Sequence, residues 1–179
     1  MIKNIFISGL PGCGKTTLIM EILEELKMDA DGFYTQETRE RGKRLGFKIK
    51  TLDGKEGILA HVNIKSPYKV SKYKVNLKDL EEIGVKSILD ALKTNKMIII
   101  DEIGKQEMCS QEFRKAVISA LESKNKVLGT IKMTPDPFCD KIKKREDTKI
   151  FYLTRGNREK IKQEIKKYYG FQRFREKRN

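Results

Sequence analysis

An octapeptide near the beginning of the chain combines the residue types that bind a phosphate chain. It reads Gly-Leu-Pro-Gly-Cys-Gly-Lys-Thr over residues 9–16, which fits the pattern G-x-x-x-x-G-K-T. Its glycines let backbone N–H groups face anionic oxygens, Lys15 can reach the β- and γ-phosphates of a nucleotide, and the Thr16 hydroxyl can ligate Mg²⁺. The predicted nucleotide contacts here are Gly9, Leu10, Pro11, Gly12, Cys13, Gly14, Lys15, Thr16 and Thr17.

A second chemical feature is an apolar run that ends in two adjacent carboxylates. The residues Met97 to Ile100 are followed by Asp101 and Glu102. Ligands of an open parallel sheet sit at the carboxyl ends of its strands, so Asp101 is expected to hold Mg²⁺ opposite Thr16. Glu102 is then placed to orient and polarise a water for in-line attack on the γ-phosphorus. The predicted catalytic residues are Lys15 and Glu102, the metal ligands are Thr16 and Asp101, and the cofactor is Mg²⁺.

Phosphoryl transfer also requires positive charge from outside the phosphate loop, and an arginine finger is worth roughly 10³ to 10⁵ in rate. The sequence alone does not select among its basic residues. The candidates are Arg39, Arg41 and Arg44 in a predicted hairpin, Lys105 after the acidic pair, and Lys143, Lys144 and Arg145 at a helix end.

The elements that must position these groups alternate between short β-branched strands and helical patterns. Strands are predicted at 2–8, 97–100, 126–131 and 149–153, and helices at 15–27, 77–93, 110–123, 136–145 and 157–169. Asn76 and Ser110 are suitable N-caps for the second and third helices. The alternation predicts an α/β fold with a mainly parallel sheet flanked by helices on both faces.

Residues 32–62 interrupt this alternation. Extended runs there are joined by a basic, glycine-containing turn and by Asp53-Gly54, which predicts antiparallel β-hairpins inserted after the first helix. Residues 63–76 show no strong pattern. We expect a single domain over 1–179, with the hairpin insertion at 32–62 and a basic tail at 171–179.

The amino-acid composition indicates which binding partners and which cellular compartment to expect. The 179 residues include 39 Lys and Arg against 25 Asp and Glu, a net charge of +14. Such an excess can attract nucleic acid, but the basic residues are spread and mixed with acids, which favours a lysine-rich surface. The three cysteines lack C-x-x-C spacing and suit a reducing cytosol. We therefore expect a cytoplasmic monomer that binds nucleoside triphosphates and has no membrane partner, with nucleic acid possible but not required.

Taken together, the motifs resemble a family of small P-loop nucleoside-triphosphatases from thermophiles and a human cancer-related homologue. The residues that carry the resemblance are 9–18, Gly-Phe-Tyr-Thr at 32–35, Glu37, Arg39, Gly42, Arg44, Gly46, Phe47, Asp-Glu-Ile-Gly-Lys at 101–105, Leu-Gly-Thr-Ile at 128–131, Arg145 with Asp147, and Asn157-Arg158. One departure is Gln106, which stands where the family usually has an apolar residue before Glu107.

The resemblance implies a P-loop fold in which strand 126–131 lies between the loop strand and the acidic strand. It implies Mg²⁺-dependent hydrolysis of ATP, GTP, CTP and UTP to the diphosphate, with weak base discrimination. By the same resemblance, residues 97–104, including Ile103 and Gly104, border the nucleotide. Thr130 or Lys132 would sense the γ-phosphate, and Asn157 and Arg158 would lie near the base.

Two other functions remain open at this point. A nucleotide or polynucleotide kinase would use the second carboxylate to activate a hydroxyl acceptor instead of water. A nucleic-acid-associated ATPase would account for the basic composition and the basic tail.

Overall fold

The computed structural model describes the backbone of residues 1–176 and the side chains of residues 1–170. The side chains of the predicted basic tail, 171–179, lie outside the described residues. The strands are β1 (Asn4–Ser8), β2 (Ala30–Glu40), β3 (Lys43–Thr51), β4 (Glu56–His61), β5 (Lys69–Val70), β6 (Tyr73–Val75), β7 (Met97–Ile103), β8 (Val127–Ile131) and β9 (Thr148–Tyr152).

The helices are α1 (Lys15–Leu26), α2 (Leu77–Asp79), α3 (Lys86–Ala91), α4 (Gln111–Glu122), α5 (Pro137–Lys143) and α6 (Arg158–Glu176). A π-helical segment, Leu80–Val85, joins α2 to α3, and a short 3-10 helix spans Glu107–Cys109. The predicted caps are confirmed, since Asn76 accepts a hydrogen bond from Asp79 N and Ser110 accepts one from Phe113 N. No helix of the described chain combines the length and apolar character needed to cross a bilayer.

All the strands join one sheet in the order β5-β6-β4-β3-β2-β7-β8-β1-β9. Neighbouring strands in the part β2-β7-β8-β1-β9 are parallel. Neighbouring strands in the part β5-β6-β4-β3-β2 are antiparallel. The predicted α/β fold class is confirmed, and β8 lies between β1 and β7 as the family resemblance implies. The sheet as a whole is mixed, because the antiparallel strands extend the parallel part.

The hairpin region after α1 is continuous with the main sheet. The first residues of β2 pair in parallel with β7, the last pair being Phe33 with Ile100. Residues 34–40 then continue past that pair, and at about 3.4 Å per residue they extend on the order of 20 Å further. Arg41 and Gly42, both with positive φ, turn the chain back into β3. The hairpin therefore rises above the carboxyl edge of the parallel strands.

Residues 63–76, which show no strong pattern in the sequence, contain the two short strands β5 and β6. Pairing of β6 with β4 extends the antiparallel end of the sheet. This end carries Tyr73, which packs edge-to-face against Phe47 of β3.

Both faces of the sheet bury apolar side chains against helices. One face packs Ile5, Ile7, Ile99 and Leu128 against α1 and α6, and the other packs Phe6, Ile98, Ile100 and Val127 against α3, α4 and α5. Because both faces are covered, strands such as β7 are continuous apolar runs instead of alternating ones. This core fixes the strand ends from which the polar residues of the candidate site project.

Candidate active site

The loop between β1 and α1 has the backbone conformation that its glycines permit. Gly14 takes a left-handed conformation, φ 91°, as the N-cap of α1, which a residue with a Cβ adopts only at a cost. At Gly9 an added Cβ would lie 2.6 Å from the carbonyl oxygen of Leu153. These two positions let the chain pass closely by Leu153 as it leaves the buried strand and then enter the helix.

Lys15 folds back over this loop. Its Nζ donates hydrogen bonds to the carbonyl oxygens of Gly9, at 3.0 Å, and Leu10, at 3.2 Å. The ammonium group is therefore held above the loop and beside the N-terminus of α1, where both charge and helix dipole favour an anion.

Asp101 joins the loop to the end of the acidic strand. It is 2% exposed and accepts a hydrogen bond of 2.5 Å from Thr16 Oγ1 and another from Thr130 Oγ1 of β8. Burial raises the pKa of Asp101, and the two hydroxyl donors and the charge of Lys15 oppose that rise. Thr130 is thus brought to Asp101.

Glu102, the next residue, lies beside Lys15 and Lys132. Burial raises the pKa of Glu102, Lys15 lowers it, the charge of Asp101 raises it further, and Lys132 lowers it. Lys132 itself, 10% exposed in its side chain, is held 3.4 Å from Asp136. The structure therefore places both carboxylates and both lysines around one space.

That space is a cavity of about 650 Å³, within the usual size of small-molecule sites. Its walls are the phosphate loop, the end of β7 with the loop after it, the residues after β8, and the β2–β3 hairpin. The lining residues are Gly9, Leu10, Pro11, Gly12, Gly14, Lys15, Thr16, Thr17, Thr35, Glu37, Arg44, Phe47, Val70, Asp101, Glu102, Lys105, Gln106, Glu107, Lys132, Met133 and Thr134.

Glu107 is a cavity residue to which sequence reasoning assigned no role. It is 4% exposed. A Cβ built on Gly104 would lie 2.6 Å from Glu102 Oε1 and 2.9 Å from Glu107 Oε2, so the two carboxyl groups converge on that glycine. Burial raises the pKa of Glu107 well above its ordinary value, and the charge of Glu102 adds to the effect. In the sequence, Glu107 is visible only as an acid five residues beyond Glu102. Its burial and its approach to Glu102 depend on the tertiary fold, so the sequence does not reveal them.

Several predicted site residues lie outside the cavity. Ile103 is fully buried in the core, Cys13 lies within the loop without lining the cavity, and Gly104 supports the two glutamates. Arg39 bonds Glu37 and the carbonyl of Gly42 near the hairpin turn.

Arg145 is a second candidate that the fold separates from the loop. It forms a two-point ion pair with Asp147 and bonds the carbonyl of Leu121. Asp147 directly precedes β9, so this pair lies at the amino edge of the parallel strands. Lys143 and Lys144 end α5 at the same side, where Lys143 pairs with Asp140. The structure does not bring these three cations to the carboxyl edge.

Asn157 and Arg158 lie beside the phosphate loop without lining the cavity. Arg158 donates to the carbonyl of Gly14 at 3.0 Å and to Glu21 at 2.7 Å. Asn157 accepts from Thr154 N and donates to the carbonyl of Tyr152. Both therefore shape the chain between β9 and α6, on the side of β1 that faces away from β7.

The donor set suits Mg²⁺. The hydroxyl of Thr16 and the carboxylate of Asp101 are hard oxygen ligands, and Mg²⁺ is usually held by one or two such groups together with substrate phosphates. Among the described residues no group of three or more His, Cys, Asp or Glu side chains could hold a metal ion by itself. A metal ion at this position would therefore need phosphate oxygens to complete its coordination shell.

A β-strand, a glycine-rich loop with its lysine, and an acidic strand on the same sheet edge define a P-loop nucleotide-binding fold. A family model described as NTPase matches residues 4–166. The nucleoside-triphosphatase THEP1 of Thermotoga maritima is 53% identical over 170 residues, which cover 95% of this chain and 97% of the relative. The human cancer-related nucleoside-triphosphatase is 36% identical over 181 residues, which cover 92% of this chain and 95% of the relative.

Solved structures agree with the sequence relatives. The crystal structure of THEP1 from Aquifex aeolicus superposes with a TM-score of 0.81 at 36% identity, covering 90% of this chain and 96% of that one. The chain belongs to this nucleoside-triphosphatase family, and the resemblance drawn from its motifs is confirmed.

Proposed function

We propose that the protein hydrolyses nucleoside 5′-triphosphates to the diphosphate and phosphate with Mg²⁺, and that it accepts ATP, GTP, CTP and UTP. The observation that carries the proposal is the hydrogen bond between Thr16 and Asp101. It brings the phosphate loop and the acidic strand to one cavity, which Lys15 and Glu102 also line. The names of the relatives support the same reaction class.

Each residue has a distinct role in this proposal. The backbone N–H groups of the loop and the ammonium of Lys15 bind the phosphates. Thr16 and Asp101 hold Mg²⁺, with Thr130 fixing the orientation of the Asp101 carboxylate. When bound, the metal would supply positive charge that offsets the negative charge of the phosphates. Glu102 accepts a hydrogen bond from a water and aims that water at the γ-phosphorus.

Broad use of the bases is proposed because the groups assigned to binding contact the phosphates, which are the same in all four nucleotides. The loop backbone and Lys15 carry no information about the base. Asn157 and Arg158, which the resemblance assigns to the base region, are occupied with protein partners. We also propose a reducing cytoplasmic setting, since Cys13, Cys109 and Cys139 are all free thiols.

The experiment that tests the proposal measures phosphate release from the four ribonucleotides with Mg²⁺ and with excess chelator. The expected result is phosphate release from all four that stops on chelation. Release that is confined to one base, or that continues in chelator, contradicts the corresponding part of the proposal. No release from any of the four contradicts the reaction itself.

A further inference from the structure

The β2–β3 hairpin lies beyond the acidic strand as seen from the phosphate loop. In the sheet order β2-β7-β8-β1, the loop follows β1 and the carboxylates lie near the carboxyl end of β7. A triphosphate on the loop with its γ end towards Glu102 therefore has the hairpin ahead of that end. This orientation rests on the proposed function.

The hairpin presents one cation to this part of the cavity. Arg44 of β3 lines the cavity, whereas Arg39 of β2, paired directly across from it, does not. Both arginines bond Glu37: Arg44 Nη1 lies 2.5 Å from one carboxylate oxygen and Arg39 Nε lies 2.8 Å from the other. The sequence does not distinguish Arg39 from Arg44, but in the structure only Arg44 lines the cavity.

A β-bulge accounts for the direction of Arg44. The register shifts between the pairs Thr38–Gly46 and Arg39–Arg44, so Leu45 is skipped. With strict alternation Arg44 would lie on the face opposite to Phe47. The extra residue returns Arg44 to the face that carries Phe47 and Glu37, and bulges of this kind often re-aim a side chain near an active site.

The guanidinium of Arg44 contacts three side chains. It lies 5.2 Å from the ring centre of Phe47 and 5.6 Å from that of Tyr73. Its Nε donates to the Tyr73 hydroxyl at 2.9 Å, and its Nη1 donates to Glu37. Its third nitrogen, Nη2, makes no hydrogen bond to the residues that the structure describes. A charged donor that is oriented by two hydrogen bonds and retains an unbonded nitrogen beside the cavity needs little reorganisation to bind an anion.

We propose that Arg44 is the catalytic cation supplied in cis, with Nη2 contacting the oxygens of the γ-phosphoryl group in the transition state. Water attacks the γ-phosphorus, the bond to the β–γ bridging oxygen breaks, and the proton of the water passes towards Glu102. Arg44 stabilises the negative charge on the oxygens of the transferred phosphoryl group. Tyr73 and Glu37 are positioning residues for the guanidinium.

The test compares Arg44→Ala and Arg44→Lys with Lys43→Ala, an exposed change in the same hairpin with the same loss of charge. We expect Arg44→Ala to lower kcat by at least about 100-fold, Arg44→Lys to recover little because a point charge does not replace the planar guanidinium, and Lys43→Ala to stay within about 3-fold. Binding of a non-hydrolysable ATP analogue should stay within about 3-fold for each variant.

A second readout addresses the transition state without turnover. Wild type should retain ADP far longer when fluoroaluminate and Mg²⁺ are added, since that complex mimics the transferred phosphoryl group, and Arg44→Ala should lose this gain. Tyr73→Phe should show a smaller loss of both kcat and ADP retention, because it removes one orienting bond and keeps the stacked ring.

The outcomes separate this inference from the proposed function. A wild-type protein without triphosphatase activity contradicts the proposed function. Hydrolysis by wild type with an Arg44→Ala variant of equal kcat overturns the role of Arg44 alone. An Arg39→Ala variant that loses as much activity as Arg44→Ala, or an Arg44→Ala variant that loses analogue binding in parallel with kcat, also overturns it. Thermal unfolding of each variant confirms that a folded protein is compared.

Discussion

Thr16 and Asp101 are 85 residues apart in the chain and are joined by a hydrogen bond of 2.5 Å. Thr16 is in the first turn of α1, and Asp101 belongs to β7, with β8 lying between β7 and β1. The bond crosses the gap above β8, where Thr130 reaches the other oxygen of the same carboxylate. Two motifs that the sequence keeps far apart therefore form one site.

Substitution of Lys15 should weaken nucleotide binding. Lys15→Ala removes the only ammonium group held above the phosphate loop in the described structure, and we expect the Kd for a non-hydrolysable ATP analogue to rise about 10- to 100-fold, as for loss of a charged hydrogen bond. Calorimetric titration measures this effect. Lys160→Ala, an exposed change of equal charge on α6, is the control, and equal affinities of the two variants would contradict the role of Lys15.

Glu107 should make the free energy of unfolding depend on pH. Burial raises the pKa of Glu107 in the folded state, so the folded protein retains a proton that the unfolded chain releases above the ordinary glutamate pKa of 4.5. Stability contributed by this group therefore falls as pH rises above that value. Glu107→Gln keeps the shape and removes the titration, so its advantage over wild type should grow from pH 5 to pH 8.

Urea unfolding of the metal-free protein at the two pH values checks this expectation. Glu112→Gln, at an exposed acid of α4, should show no comparable change. A Glu107→Gln variant whose stability follows the wild-type pH dependence would show that the Glu107 carboxyl titrates alike in both states.

Ser110 should contribute to stability through the N-terminus of α4. Its hydroxyl accepts from Phe113 N at 3.0 Å and donates to Glu81 at 2.6 Å. Ser110→Ala removes both bonds and should lower the free energy of unfolding by about 1 kcal/mol or somewhat more. Ser119→Ala, on an exposed part of the same helix, is the matched control. Equal midpoints for the two variants in urea would rule out a stabilising cap.

The alternative functions make a different prediction. A kinase would transfer labelled phosphate from ATP to a nucleoside, a nucleotide or a 5′-hydroxyl oligonucleotide, and a nucleic-acid-associated ATPase would be stimulated by RNA or DNA at low salt. The proposed hydrolase should release the label as inorganic phosphate, and its rate of ATP turnover should not change when RNA or DNA is added. A labelled acceptor, or a clear salt-sensitive stimulation, would favour the corresponding alternative.

The features predicted from the sequence are those that a local pattern specifies. The phosphate loop, the acidic strand that carries Asp101 and the caps at Asn76 and Ser110 each depend on a few neighbouring residues. The choice of Arg44 over Arg39 depends on a β-bulge and on Tyr73 from a strand too short to predict. The burial of Glu107 and the position of Arg145 at the opposite edge of the sheet both depend on the tertiary fold.

Glu102 provides the most direct test of the proposed hydrolysis. Glu102→Gln keeps the size of the side chain and removes its ability to accept a proton, so we expect the nucleotide Kd to stay within about 3-fold while phosphate release falls at least about 100-fold. Glu112→Gln should match wild type in both measurements. Phosphate release by Glu102→Gln at the wild-type rate would contradict the proposed role of Glu102 in activating the attacking water.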